Sequence, residues 1–351
     1  VAISRFDDSL KQCQHKIDEA RKIDYLEVRM RHVVSALVAL VMVSLVGQVA
    51  HAGFPERGIK IVVPFPAGGS NDVVARLLGT KLQELWGQPV VIDNRAGGGG
   101  NIGADAVVRS PADGYTLLLT APGPLAVNQS LYAQLPFNPA QDFTPVALIA
   151  SVPIVLAVNP GVKATTVAEL IALAKASPGK LNFGSSGLGS TNHLAGELLK
   201  ARAGIDIVHV PYRGAAPAMN DLIAGQIPMM FDNMPAIRPQ VQGGTIRAIA
   251  VAGAARSPLF PELPTMAEAG VANFEASSWF GLVAPAKMPP DVTKVLIDAV
   301  TKVLKDPDMV KRLADVGAEP GTLSGDAFAT FLRAESEKWG QVVKTAGAKV
   351  E

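Results

Sequence analysis

Several glycine- or proline-rich corners hold most of the polar chemistry in this sequence. Pro64-Phe65-Pro66-Ala67-Gly68-Gly69-Ser70-Asn71-Asp72 separates an apolar run from an amphipathic one. It therefore reads as the turn from a strand's carboxyl end into a helix, where open α/β sheets take their ligands. Gly68 and Gly69 let backbone N–H groups approach a bound group, and the positive end of a helix favours an anion. Asp72 suits either of two roles, capping the helix or touching the ligand.

Gly184-Ser185-Ser186-Gly187-Leu188-Gly189-Ser190-Thr191-Asn192-His193 repeats this layout with more hydroxyls. It approaches a P-loop, but Ser190 stands where the phosphate-binding lysine is required. The nucleophile-elbow pattern fails as well, because Leu188 takes its last glycine position. What remains is a nest of N–H and O–H donors suited to one carboxylate. His193, in the first helical turn, fits a structural role and a ligand contact equally well.

Gly98-Gly99-Gly100-Asn101-Ile102-Gly103 satisfies G-x-G-x-x-G after a strand, yet no acidic residue ends a strand about 20 positions on. At the next junction, His209-Val-Pro-Tyr212-Arg213-Gly214, Arg213 is a cation able to grip a carboxylate bidentately or to sit on the surface. Asp232 and Asn233 close the following strand and can line the same cleft. No nucleophile stands beside a base in sequence, so a triad using His193 or His209 has only weak support.

The elements that must position these corners alternate along the chain. Strands are expected at 59–63, 90–93, 115–120, 154–158, 181–183, 206–210, 227–231 and 246–251. Helices are expected at 70–86, 101–109, 166–176, 190–203, 215–225, 290–305, 307–316 and 324–345. Apolar residues at 74, 77, 78, 82 and 85 give the first helix its spacing, and Thr166 with Glu169 forms a capping box. The alternation predicts parallel β-α-β units and an α/β fold. The two similar corners suggest two lobes, with apolar, proline-bearing segments near 147–158 and 276–285 crossing between them.

The chain has 351 residues, 48% hydrophobic and 18% charged, with a formal net charge of +1. It is long enough for two lobes. It is too apolar for a largely disordered chain and too neutral to coat nucleic acid. Residues 33–46 form a fourteen-residue apolar run, short of the about 20 needed to span a bilayer. Basic residues precede it and Ala50-His51-Ala52 follows, which makes 30–52 a signal peptide and Met30 the expected start, with 1–29 a non-native extension. Cleavage would remove Cys13, the lone cysteine, and leave a formally neutral protein with His193 and His209 as its histidines.

Six segments then acquire a joint meaning: VPFPAGGSND at 63–72, NRAGGGGNIGADAV at 94–107, DGYTLLL at 113–119, NFGSSGLGSTNHLAGELL at 182–199, VPYRGAAPAMNDLIAGQI at 210–227 and WFGLVAPAKMPP at 279–290. In this order, behind an export leader, they resemble the Bug receptors, the TctC-like substrate-binding proteins of tripartite tricarboxylate transporters.

The resemblance implies a two-lobed periplasmic binding fold of the Venus-flytrap kind, each lobe a mostly parallel sheet flanked by helices. Lobe 1 would comprise 53–152 plus 276–351, and lobe 2 would comprise 153–275. It implies a monomeric, non-enzymatic receptor that passes a small carboxylate to transporter membrane subunits, without cofactor, metal or nucleic acid. The ligand loops carry over as Phe65–Asn71 and Ser185–Thr191. The candidate contacts are Phe65, Pro66, Ala67, Gly68, Gly69, Ser70, Asn71, Asp72, Asn128, Ser185, Ser186, Gly187, Ser190, Thr191, His193, Arg213 and Asp232. Thr120-Ala-Pro-Gly-Pro-Leu125 is less polar than the matching segment of many members, which points to a less polar distal end of the ligand. Two other readings stay open: an exported hydrolase using a loop serine, and a receptor that feeds a sensor kinase.

Overall fold

Strand β1 (Ile59–Val63), helix α1 (Ser70–Trp86), strand β2 (Val90–Asn94), helix α2 (Asn101–Val108) and strand β3 (Thr116–Thr120) reproduce the expected alternation. They belong to a computed structural model that describes residues 53–346. The expected leader and upstream extension lie outside the described residues. No described helix is long and apolar enough to cross a membrane.

The chain continues through α3 (Asn128–Leu131), β4 (Phe143–Val158), α4 (Val167–Ala176), β5 (Asn182–Ser185), α5 (Thr191–Ala203), β6 (Val208–Pro211), α6 (Ala215–Ile223), β7 (Met229–Asn233), α7 (Met234–Gln242) and β8 (Arg247–Val251). It ends with β9 (Ser277–Pro285), α8 (Pro290–Leu304), α9 (Pro307–Asp315), β10 (Glu319–Pro320) and α10 (Gly325–Ala346). The strands order as β2-β1-β3-β9-β4-β7-β5-β6, with β8 and β10 also pairing with β4.

The outer pairs, β1 with β2 and β3 and β5 with β6 and β7, are parallel, as crossover helices require. The centre is antiparallel, so the sheet is mixed. β4 carries the chain from the first strand set to the second and β9 carries it back, so these neighbours run in opposite directions. β4 is 16 residues long, far beyond the 154–158 read from sequence. Its first part pairs with β9 as far as Pro153↔Ser277, and its remainder pairs with β7 from Ile154↔Asn233.

Proline explains both this surprise and another. Pro145 sits beside a register shift and Pro153 at the handover between partners, where a missing N–H costs the ladder least. Helix α7, absent from the sequence pattern, has Pro235 in its first turn, where proline is tolerated, and Pro239 further in. The capping box of α4 forms as expected, with Thr166 Oγ1 accepting from the Glu169 N–H at 3.2 Å and Glu169 Oε2 accepting from the Thr166 N–H at 3.2 Å.

The core separates along the same line. One cluster joins Val74, Leu78 and Leu82 of α1 to β1, β3 and the inner faces of α8 and α9, drawing only on residues before 153 or after 279. Two others, around Phe183 with Phe231 and around Met230 with Leu222, use only residues 154–276. A fourth, around Trp279, Phe328 and Trp339, takes Leu194 from α5 into the packing of the first set. Lys81 of α1 reaches Asp308 at 2.7 Å and Asp306 at 3.6 Å, tying α9 to the helix that opens the first corner.

Candidate functional site

The β1–α1 and β5–α5 corners face each other across one narrow crevice with about 30 Å³ of free space. Phe65, Pro66, Gly69, Ser70 and Asn71 form one wall; Ser186, Leu188, Ser190, Thr191 and Asn192 form the other. Asp232 and Asn233 at the end of β7 supply the floor, and Gly99, Ala121, Gly123 and Ala215 complete it. A second hollow of about 220 Å³ shares Phe65, Gly99, Ser186 and Leu188 with the crevice and adds Gly187, Tyr132, Tyr212 and Arg213.

The walls present donors because of how each helix begins. Gly69, the N-cap of α1, has no side chain to cap it, so the first-turn N–H groups are left for another acceptor. At α5 the Ser190 hydroxyl takes only the His193 N–H, at 3.2 Å, leaving those of Thr191 and Asn192. Two helix N-termini thus converge, and their dipoles favour negative charge between them. Ser70 Oγ, Asn71 Oδ1, Asp232 Oδ2 and Asn233 Oδ1 are buried and have no hydrogen-bond partner within the protein.

Other candidates stand behind the walls and hold them. Asp72 is buried; its Oδ2 accepts from the Gly68 N–H at 3.0 Å and from Arg76 Nε at 2.9 Å. Burial works to raise its carboxyl, but the hydrogen bonds from Arg76, Gly68 and Asn94 outweigh that and hold it below the usual range. Asn94 Nδ2 donates to the Phe65 carbonyl at 3.0 Å, pinning the same loop. Ala67 and Gly68 are exposed and line neither cavity.

Asn128 is buried and donates to Asn101 Oδ1 at 2.6 Å and to the Gly99 carbonyl at 3.2 Å. It fixes the glycine run, whose Gly99 (φ 62°) packs so closely that a Cβ there would lie 2.5 Å from the Tyr132 hydroxyl. The G-x-G-x-x-G stretch therefore belongs to the rim of the crevice.

Ser185 and the two histidines form a layer behind the second corner. Ser185 Oγ lies 2.6 Å from His209 Nε2, and the His209 ring stacks on that of His193 at 4.0 Å. His193 Nδ1 accepts the Gly189 N–H at 3.3 Å. Ser185 is wholly buried and lines neither cavity, and among the described residues no carboxylate pairs with His209. This serine–histidine pair orients a loop and lacks both access and an acid.

Burial, then the neighbouring His193 and Lys200, push His209 down to about 3; burial also lowers His193. Unfolding restores an ordinary histidine near 6.5, so the unfolded chain gains a proton first as pH falls. The histidines' stabilising contribution is present above pH 6.5 and is lost progressively down to about pH 3. Melting temperature should fall over that window, and His209→Gln should flatten the slope in a pH series of thermal melts.

Asn192 is the residue that ties the second wall to the floor. Its Nδ2 donates to Asp232 Oδ1 at 2.9 Å and reaches Ser186 Oγ at 3.4 Å. Nothing in the sequence distinguishes it from a helix-start asparagine, because its partner lies forty residues on. Tyr132 also lacks a local signal, since α3 brings it to the rim, whereas Ala121 and Gly123 fall in the 120–125 segment that the resemblance singles out.

Comparison with known proteins supplies the context. The family described as "Tripartite tricarboxylate transporter family receptor" matches residues 74–348. Protein BugT of Bordetella pertussis is 42% identical over 299 residues, 85% of this chain and 92% of that protein. Among solved structures, R. palustris Rpa4515 with adipate is 43% identical, with a TM-score of 0.83, covering 85% of this chain and all of that one. MatC (Rpa3494) from Rhodopseudomonas palustris with bound malate is 32% identical, with a TM-score of 0.78, covering 83% of this chain and all of that one. The fold is that of periplasmic binding proteins; the protein titled periplasmic binding protein BugD superposes with a TM-score of 0.81.

Proposed function

Because the chain belongs to the tripartite tricarboxylate transporter receptor family, we propose that the crevice captures one carboxylate of a small organic acid for delivery to a membrane transporter. The observation that carries this is the convergence of two helix N-termini on one crevice with no cation in its wall. Neutral N–H and O–H donors can hold an anion without the desolvation cost of a buried countercharge. Water leaving a closing crevice strengthens each of those bonds.

Lobe 1 in this reading is 53–152 plus 276–351 and lobe 2 is 153–275, closing on the ligand. The partition of the core and the handover of β4 from β9 to β7 at Pro153 and Ile154 support it. The ligand contacts are Phe65, Pro66, Gly69, Ser70, Asn71, Ser186, Thr191 and Asp232. Asp72, Asn128, Ser185 and His193 hold the loops. Action in the periplasm as a monomer, without catalysis, completes the proposal; Ser185, which lies against His209, is buried away from the crevice.

The ligand in this reading is a dicarboxylate, in place of the less polar distal end expected from segment 120–125. Arg213 forms no ion pair among the described residues and lines the adjoining hollow beside Tyr132, where a distal carboxylate can reach it. Relatives solved with adipate and malate fit the same chemistry. A panel of mono-, di- and tricarboxylates should raise the melting temperature by ligand linkage, dicarboxylates most. Arg213→Ala should weaken dicarboxylates about tenfold by calorimetry, the scale of one charge-assisted contact, and leave monocarboxylates unchanged. Absence of any shift across the panel refutes the carboxylate reading.

A further inference from the structure

We infer that Asp232 meets the ligand carboxylate as a neutral acid, donating its own proton, so that binding above neutral pH takes up one proton per ligand. The inference rests on the carboxylate-receptor reading above and adds the protonation state that makes that reading self-consistent.

Asp232 ends β7 wholly buried, yet it forms part of the crevice floor. One oxygen is fully used: Oδ1 accepts from Asn192 Nδ2 at 2.9 Å and from the Asn233 N–H at 2.8 Å. The other, Oδ2, has no partner. No cation offsets the group. The elements packed on β7 carry His193, Glu197, Lys200 and Arg202 on α5, Asp221 on α6 and Arg238 on α7; β4 and β5 carry no titratable residue. None of these forms an ion pair with Asp232. Across the crevice, Asp72 is paired with Arg76 at 2.9 Å.

The two aspartates therefore take opposite states. Asp72, held by a guanidinium and a backbone N–H, stays ionised. Asp232 has burial pushing its carboxyl up to about 7, against which the Asn233 and Asn192 hydrogen bonds pull only partly. A ligand carboxylate arriving between the helix ends raises it further, because two like charges cannot share a dry site. A single proton, taken from the buffer onto Oδ2, converts that repulsion into a short O–H···O⁻ hydrogen bond. The pair then titrates as a unit. A ligand ammonium on Oδ2 would satisfy the same atom, but the positive ends of α1 and α5 oppose a cation there.

Calorimetry of the full chain with adipate and malate, in paired buffers of different ionisation enthalpy, tests this. Both acids are fully ionised at pH 8, so any proton taken up belongs to the protein. The expected result is uptake of close to one proton per ligand at pH 8 and little at pH 6, with affinity falling about tenfold per pH unit above 7. Asp232→Asn keeps an acceptor for Asn192 and places an N–H where the proton sat. It should still bind at pH 6, with the change in affinity that exchanging an O–H for an N–H donor brings, but show neither uptake nor pH dependence.

Wild-type binding without proton uptake overturns the inference and leaves the receptor reading intact. So does loss of binding in Asp232→Asn at pH 6 with its melting temperature preserved, which would mark Asp232 as a charged partner for a cation. Failure of both acids to bind the wild type at any pH overturns the receptor reading and this inference together.

Discussion

Gly214→Val is expected to weaken ligand binding about 100-fold while leaving the protein folded. Gly214 is the N-cap of α6 at φ 149°, a backbone setting that L residues seldom adopt, and any Cβ there would collide with the Pro66 ring. A β-branched side chain adds strain of about 1–3 kcal/mol and forces the Phe65–Pro66 wall away from Ala215, which lines the same crevice. Both costs fall on the arrangement that brings the corners together, and about 3 kcal/mol on that arrangement alone corresponds to two decades in affinity. Titration calorimetry with a dicarboxylate reads the loss. A melting temperature for the ligand-free variant within a few degrees of wild type separates it from unfolding, and undiminished affinity would mean that Pro66 and Gly214 need not meet in the bound form.

Glu335→Ala should cost about 4 kcal/mol of stability and lower the melting temperature by about 8 °C. Glu335 is buried on α10, and its Oε2 accepts both the Trp279 indole N–H at 2.7 Å and the Trp339 indole N–H at 2.9 Å. Removing the carboxylate strands two buried donors, each costing about 1–3 kcal/mol. Glu335→Gln retains an acceptor and should cost about 1 kcal/mol. Chemical denaturation monitored by tryptophan fluorescence distinguishes the two. Equal losses would show that the acceptor matters less than its charge beside Lys338, whose Nζ lies 3.1 Å away.

What could be read from sequence was local. Gly68, Gly69 and the serines of 185–190 announced two corners because φ freedom and helix-start hydroxyls are properties of single positions. The periodic leucines and valines of α1 gave its limits to the residue, and Thr166 with Glu169 placed the start of α4. Local rules also misled. The strand expected at 154–158 extends back to Phe143 through Pro145 and Pro153, one at a register shift and the other at a change of partner. No helix is expected over 234–242, where α7 carries Pro239 inside it.

What could not be read depends on contacts between distant residues. Asn192 matters through Asp232, Glu335 through Trp279, and Tyr132 through Gly99. The glycine run at 97–100 was visible as a motif, but its place beside Leu188 comes from the crossing of strands that no short window contains. The sheet's antiparallel centre follows likewise from the return path of β9, which composition cannot encode.

The long strand β4 has a mechanical corollary. Since it runs unbroken through Pro153 and pairs with β9, over two register shifts, up to that point, the two strand sets are linked by a two-ply ribbon. Any relative rotation must wring this ribbon about an axis near Pro153 and Ser277, where the proline has already removed one rung. In the two-lobed reading proposed above, such a joint would confine closure to a single arc and bring the corners back to the same registration after each excursion.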